Sequence, residues 1–255
     1  MRTGKAMYQK LPEAPELSTN IGLVMWFPYG AYHVVVYADS GIEKLADIKG
    51  KRVFLGPPGG GAWNASHQWL EGVTGYKVDE DYENVKASWS SALQGFQDRQ
   101  FDVYIAGGIP PFPQIEQLAS TSEIRILGLT KEELDAATPE QLAGANVPGR
   151  GLDVVEAGTY GDGVVNDVDI YTLGTTVGVV GRLDLPEETV YQITKAFWEG
   201  AEKMRANAPW LKKITLEYAV QDGALGLHPG AARYYEEIGI EIPEPSKPGA
   251  TPPPA

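Results

Sequence analysis

The residues best suited to hold a ligand lie in Leu55-Gly-Pro-Pro-Gly-Gly-Gly-Ala-Trp-Asn-Ala-Ser66. A short apolar run, Val53 to Leu55, enters a loop with two prolines and three successive glycines, and an apolar-faced segment, Ala62 to Leu70, follows. Strand, glycine loop and helix in that order aim several backbone N–H groups at one point. The first turn of a helix has unpaired donors and a partial positive charge, so that point favours an anion. Glycine has no Cβ to keep a ligand off the backbone. A second pair, Gly107-Gly108, ends another apolar run and is followed by Ile109 and Pro110. If the two runs are parallel neighbours in a sheet, both turns open onto the edge where open α/β sheets bind ligands. The candidate contacts are therefore Gly59, Gly60, Gly61, Ala62, Trp63, Asn64, Gly107, Gly108 and Ile109, with Trp63, Trp89 and, from a second lobe, Phe27 and Tyr29 as aromatic walls. The same glycines would also make an ordinary tight turn, and a tryptophan alone is more often core or lobe-surface packing. The case rests on the two turns together.

Other chemistries are excluded by what is missing. A Walker loop needs Lys and Ser/Thr after its last glycine; Ala62 and Trp63 stand there. The spaced glycines of a dinucleotide fold are not reproduced either. His33, His67 and His228 lie far apart, without a second ligand at metal spacing, and read as structural or surface residues. Asp162, Asp167 and Asp169 lack the spacing and closing glutamate of a calcium loop. Ser66 and His67 are adjacent on a helix and point apart, which disfavours a nucleophile–base pair and an enzyme. No metal and no cofactor are expected. The 255 residues carry a formal net charge of -13 and no cysteine. That charge argues against nucleic acid or an anionic membrane as partner, and no disulfide or thiolate chemistry enters. No apolar run reaches the roughly 18 residues of a membrane span, so no direct membrane insertion is expected. Residues 1–20 lack the apolar core of a signal peptide.

The elements that must position these residues alternate. Strands are expected at His33–Tyr37, Val53–Leu55, Phe101–Ala106, Glu123–Leu129 and Thr175–Val180. Helices are expected at Ile42–Ile48, after the glycine loop, after a Ser90/Ser91 cap, and at 112–118 and 131–136. A long helix opening at Leu185-Pro-Glu-Glu has an apolar face of Val190, Ile193, Phe197, Ala201 and Met204, with Trp198 beside it as core. Helical pieces at 209–218 and 231–238 follow. Such alternation implies βαβ units and an α/β sheet. The glycine- and acid-rich stretch from Gly144 to Asp169 reads as a connection between lobes, and residues 243–255 as a flexible Pro-rich tail. The expected layout is lobe I from 1–41 and 169–242, with lobe II, 42–168, inserted in it.

The order of motifs resembles the TAXI-type solute receptors of TRAP transporters. The resemblance is carried by Asp39-Ser-Gly-Ile-Glu-Lys-Leu-Ala-Asp-Ile-Lys-Gly-Lys-Arg-Val53, Gly56-Pro-Pro-Gly-Gly-Gly61, Ala87-Ser-Trp89 with Ala92, Phe101-Asp102, Gly107-Gly-Ile-Pro110, Leu185-Pro-Glu-Glu188 and His228-Pro-Gly-Ala231 with Tyr234-Tyr235. It covers about 31–239 and implies an α/β, type II periplasmic-binding-protein-like clamshell. Its two lobes would be joined by hinge strands near 37–40 and 168–171, with the first lobe incomplete. It further implies a periplasmic, non-catalytic receptor for a small carboxylate such as glutamate, which delivers its ligand to TRAP-type permease subunits. Where such receptors place a hydroxyl residue and an acid, this chain has Gly60 and Trp63. That exchange implies a ligand bulkier or less polar than glutamate. An enzyme or a ligand-sensing domain on the same fold is the alternative.

Overall fold

The computed structural model describes residues 20–147, 149–221 and 225–250. Two compact units divide it, one from 1–28 and 176–255, the other from Tyr29–Thr175. The chain therefore changes unit at Pro28–Tyr29 and Thr175–Thr176, not at 41–42 and 168–169, and both expected hinge stretches lie inside the second unit.

The second unit is built on a mixed sheet. Its strands are β1 (Ile21–Tyr37), β2 (Arg52–Phe54), β3 (Glu83–Asn84), β4 (Val103–Gly108), β5 (Ile124–Leu127), β6 (Arg150–Val155) and β7 (Ile170–Arg182). They run in the order β3-β2-β4-β1-β7-β6, with β5 also paired to β1. Strand β2 is parallel to β3 and to β4, whereas β1 is antiparallel to β4 and β5. Strand β1 starts well before His33, and the expectation missed its first half because Pro28 and Gly30 interrupt the apolar run Leu23–Phe27. Strands β1 and β7 continue past the unit boundary into the first unit.

Alternation along the strands sorts the core into two faces. One holds Val34, Val36, Val53, Leu55, Val103, Ile105 and Leu127, covered by Ala65, Trp69 and Leu70 of helix α1 (Gly61–Thr74). The other holds Val35, Tyr37, Phe54, Tyr104, Ala106, Ile124 and Ile126. It is covered by Ala92 and Phe96 of α2 (Trp89–Gln97) and by Ile115 and Leu118 of α3 (Pro113–Thr121). Ser88, not Ser90 or Ser91, is the cap of α2, its hydroxyl accepting from the Ser91 N–H at 3.3 Å. Helix α4 (Lys131–Ala136) starts with a capping box of Thr130 and Glu133, as the acids after Thr130 dictate. The stretch 144–169 contains β6, whose antiparallel pairing with β7 places it inside the second unit, so it is not a connection between units. At the β3 edge, Asp79 adopts a left-handed backbone (φ 60). From there its N–H donates to Tyr82 O at 2.8 Å and its Oδ1 accepts from Asn84 N at 2.9 Å.

In the first unit, α5 (Glu187–Met204) buries Val190, Tyr191, Thr194, Trp198 and Ala201. Trp198 is core as expected, but Ile193 and Met204 are 52 % and 56 % exposed, so the apolar stripe is turned relative to the one read from spacing. Two short helical turns, Pro209–Lys213 and α6 (Leu216–Ala219), precede α7 (Pro229–Glu237). His228 caps α7 with Nδ1 accepting from Gly230 N at 3.1 Å, a structural histidine. The Trp198 indole donates to Tyr235 Oη, whose hydroxyl donates to Val24 O, tying α5, α7 and β1 together. Residues 243–250 do not form a free tail. Ser246 is fully buried and its backbone O accepts from Leu227 N at 2.8 Å, while 251–255 lie outside the described residues.

Gly30, with φ 106, lies so near β4 that an added Cβ would stand 2.3 Å from the Gly108 carbonyl. Gly30→Ala is expected to cost roughly 2–4 kcal/mol, strain and overpacking combined. Urea unfolding of the variant beside the wild type measures it.

Candidate functional site

The connections around β2 leave in opposite directions. From β2 the chain crosses through α1 on one face to β3; from β3 it returns through α2 on the other face and passes β2 to reach β4. A crevice beyond the carboxyl ends of β2 and β4, between neighbouring parallel strands whose crossovers lie on opposite faces, is where open α/β sheets bind ligands. The glycine loop lies there. Val53 pairs with Val103 and Phe54 with Tyr104, so Gly56 to Gly61 follow β2 beside the end of β4, where Gly107-Gly108 are the last strand residues.

The loop is shaped by its glycines. Gly56 and Gly59 take φ 115 and 73, conformations that L side chains rarely adopt. Gly60 is the N-cap of α1 in an extended conformation and has no side chain to bond the first-turn amides. No acidic or basic residue stands in that turn. Asn64 turns inward, its Nδ2 donating to Gly60 O at 3.2 Å. The amides of Gly61, Ala62 and Trp63 thus have no carbonyl one turn earlier to receive them, as at any helix start. The Trp63 ring lies over His67, centroids 4.5 Å apart, and packs on the α1 face.

Gly107-Gly108 do not form a second turn: they end β4, paired with Tyr32 and Ala31 of β1. At Gly107 an added Cβ would lie 2.3 Å from the Tyr29 ring and 3.2 Å from Tyr32; at Gly108, 2.4 Å from the Phe112 ring. Both glycines are required by rings seated on β4, one on each face of the sheet. Tyr29 belongs to the same unit as the glycine turns, not to the other lobe, whereas Phe27 lies in the first unit. Trp89 is on the face opposite Trp63, edge-on to Phe54 at 5.4 Å, so the structure does not bring the two tryptophans together. Ile109 is 8 % exposed and acts as core.

Sequence reasoning missed Phe112, Tyr32, Tyr160 and Arg150. Phe112 is held by a buried relay. Its N–H donates to Tyr160 Oη at 3.0 Å, and that hydroxyl is 2.7 Å from His33 Nε2. Burial pushes the Tyr160 phenol above its usual range, keeping it protonated. Burial likewise raises the Tyr29 phenol and pushes Tyr32 up to about 12, so both stay protonated. Nothing local to Tyr160 marks it; 127 residues separate it from His33.

A family model described as the NMT1-like family matches residues 3–239. The chain belongs to the NMT1-like family. Among solved structures it is similar to the alkanesulfonate-binding protein SsuA from Xanthomonas axonopodis pv. citri bound to MOPS, with 24% identity over 45% of this chain and 38% of that one, at a TM-score of 0.35. It is similar to the periplasmic aliphatic sulphonate binding protein SsuA from Escherichia coli, at 15% identity over 87% of this chain and 56% of that one, TM-score 0.39. A third is a TRAP periplasmic solute binding protein from Rhodoferax ferrireducens with bound malonate, at 13% identity, 94% and 56% coverage and TM-score 0.38. This NMT1-like chain thus spans 38% to 56% of the length of those three proteins. Among the described residues no group of acids and histidines is placed to hold a metal ion, and no helix is long and apolar enough to cross a membrane.

Gly107→Ala should displace the Tyr29 ring and cost about 1–3 kcal/mol, the usual range for overpacking. Urea unfolding would register the loss, and near-UV dichroism the change in tyrosine environment.

Proposed function

We propose that this chain is a non-catalytic solute receptor that holds a small organic anion at the switch point between β2 and β4. The observation that carries the reading is the parallel β2–β4 pair with its crossovers on opposite faces, from which the glycine loop aims the uncapped start of α1 at one place. Gly59 to Asn64 supply backbone donors; Tyr29, Tyr32, Trp63 and Phe112 supply rings. Phenols that stay protonated add neutral donors without repelling an anion. The ring-rich surroundings favour a carboxylate with an apolar body over a small, highly polar one. Membership of the NMT1-like family supports a receptor role. In this reading the two compact units are the lobes of an extracytoplasmic receptor, and its partner is an ion-gradient-driven permease of TRAP type.

A thermal-shift screen of organic acids tests the proposal. A ligand present at about 100 times its Kd stabilises by about 2.7 kcal/mol, a shift of several degrees. Gly60→Asp places a carboxylate on the same amides. Its Cβ must ease past Pro57 O, 3.1 Å away, but its charge and cap should stabilise the unliganded chain by about 0.5–1 kcal/mol. The response to organic acids should then disappear. A variant that responds like the wild type would place the anion elsewhere, and a wild type that responds to no organic acid would end the receptor reading.

A further inference from the structure

We infer that Arg150 supplies the cation for the bound anion, so that the ligand is held by a guanidinium as well as by neutral backbone donors. The inference rests on the receptor reading above and names a residue that it lacks. Arg150, the first residue of β6, is partly buried, yet no ion pair to it occurs among the described residues. Its Nη1 donates to two neutral acceptors, Gln68 Oε1 at 2.7 Å and Gly144 O at 3.1 Å. These bonds fix the guanidinium against α1, on the helix whose first turn forms the glycine-loop site. Burial lowers its proton affinity and the only opposing influence comes from Tyr32. Tyr32 is itself next to Gly107 at the crevice. Arg150 is the register partner of Thr175 on β7, the strand beside β1, which carries Tyr32.

Charges withdrawn from water are ordinarily paired. Among the described residues the arginines with a carboxylate within 4.0 Å are Arg52, Arg99, Arg182, Arg205 and Arg233; Arg150, like Arg125, is not one of them. A carboxylate brought by a ligand would complete it, because the planar guanidinium presents a two-pronged donor edge that matches a carboxylate.

The test uses the full chain with L-glutamate and benzoate as probes. Isothermal titration of the wild type, Arg150→Lys and Arg150→Gln should show binding of a probe weakened roughly 10-fold or more in the lysine variant and further in the glutamine one, as expected when a charged hydrogen bond is lost. Arg150→Met retains the apolar stem and removes the unpaired charge; it should raise the urea midpoint of the unliganded chain. A guanidinium that serves only to tie Gln68 to Gly144 would give the opposite sign. Binding that survives in Arg150→Gln but is lost in Gly60→Asp overturns this inference alone. A wild type that binds neither probe counts against the receptor reading, and a lowered midpoint in Arg150→Met then overturns the role of Arg150 as well.

Discussion

The end of β4 is crowded on every side by groups that leave no room for a side chain. Gly30 presses backbone against the Gly108 carbonyl, Tyr29 and Tyr32 cover Gly107, and Phe112 covers Gly108. This close approach determines where β1 crosses β4 and therefore how the sheet continues to β7. It also determines which rings border the crevice. Interiors packed at crystal-like density transmit such a constraint, since no neighbour can shift without moving the next. The His33–Tyr160 relay extends it to the β6–β7 connection, so a loop far away in sequence sets the position of Phe112.

Much of this was legible from the residues. The glycine loop, the strand before it and the helix after it stand where spacing puts them, because loop glycines and an apolar 3.6 period act locally. The parallel pairing of the two runs followed from alternation of strand and helix. What could not be read is non-local. Gly107-Gly108 looks in sequence like a second ligand turn, whereas in the structure it is the paired end of β4 and each glycine makes room for a ring; the rings come from positions 29 and 112, and no window around 107 contains both. Tyr29 was assigned to the wrong side of the boundary because Pro28 and Gly30 hide a continuous strand. Arg150 escaped notice because its significance lies in lacking a carboxylate, a property that only the folded chain reveals.

The receptor reading proposed above asks an acidic chain to hold an anion. A net charge of -13 repels anions at long range, but screening limits that repulsion to about 8–10 Å at ordinary ionic strength. At the proposed site only nearby groups matter, and in that reading those are the amides at the start of α1, neutral phenols and the partly buried Arg150. Its field would be set by a few oriented dipoles and one cation rather than by the overall count.

Asp79 has a consequence at the other end of the sheet. A terminal strand ordinarily offers its free donors and acceptors to any extended segment that drifts past. Here the Asn84 N–H and the Tyr82 carbonyl are already occupied by a single residue bent into a left-handed turn. Two of the outward groups at the β3 border are thus bonded within the chain, and a neighbouring strand finds a shorter ladder there to extend.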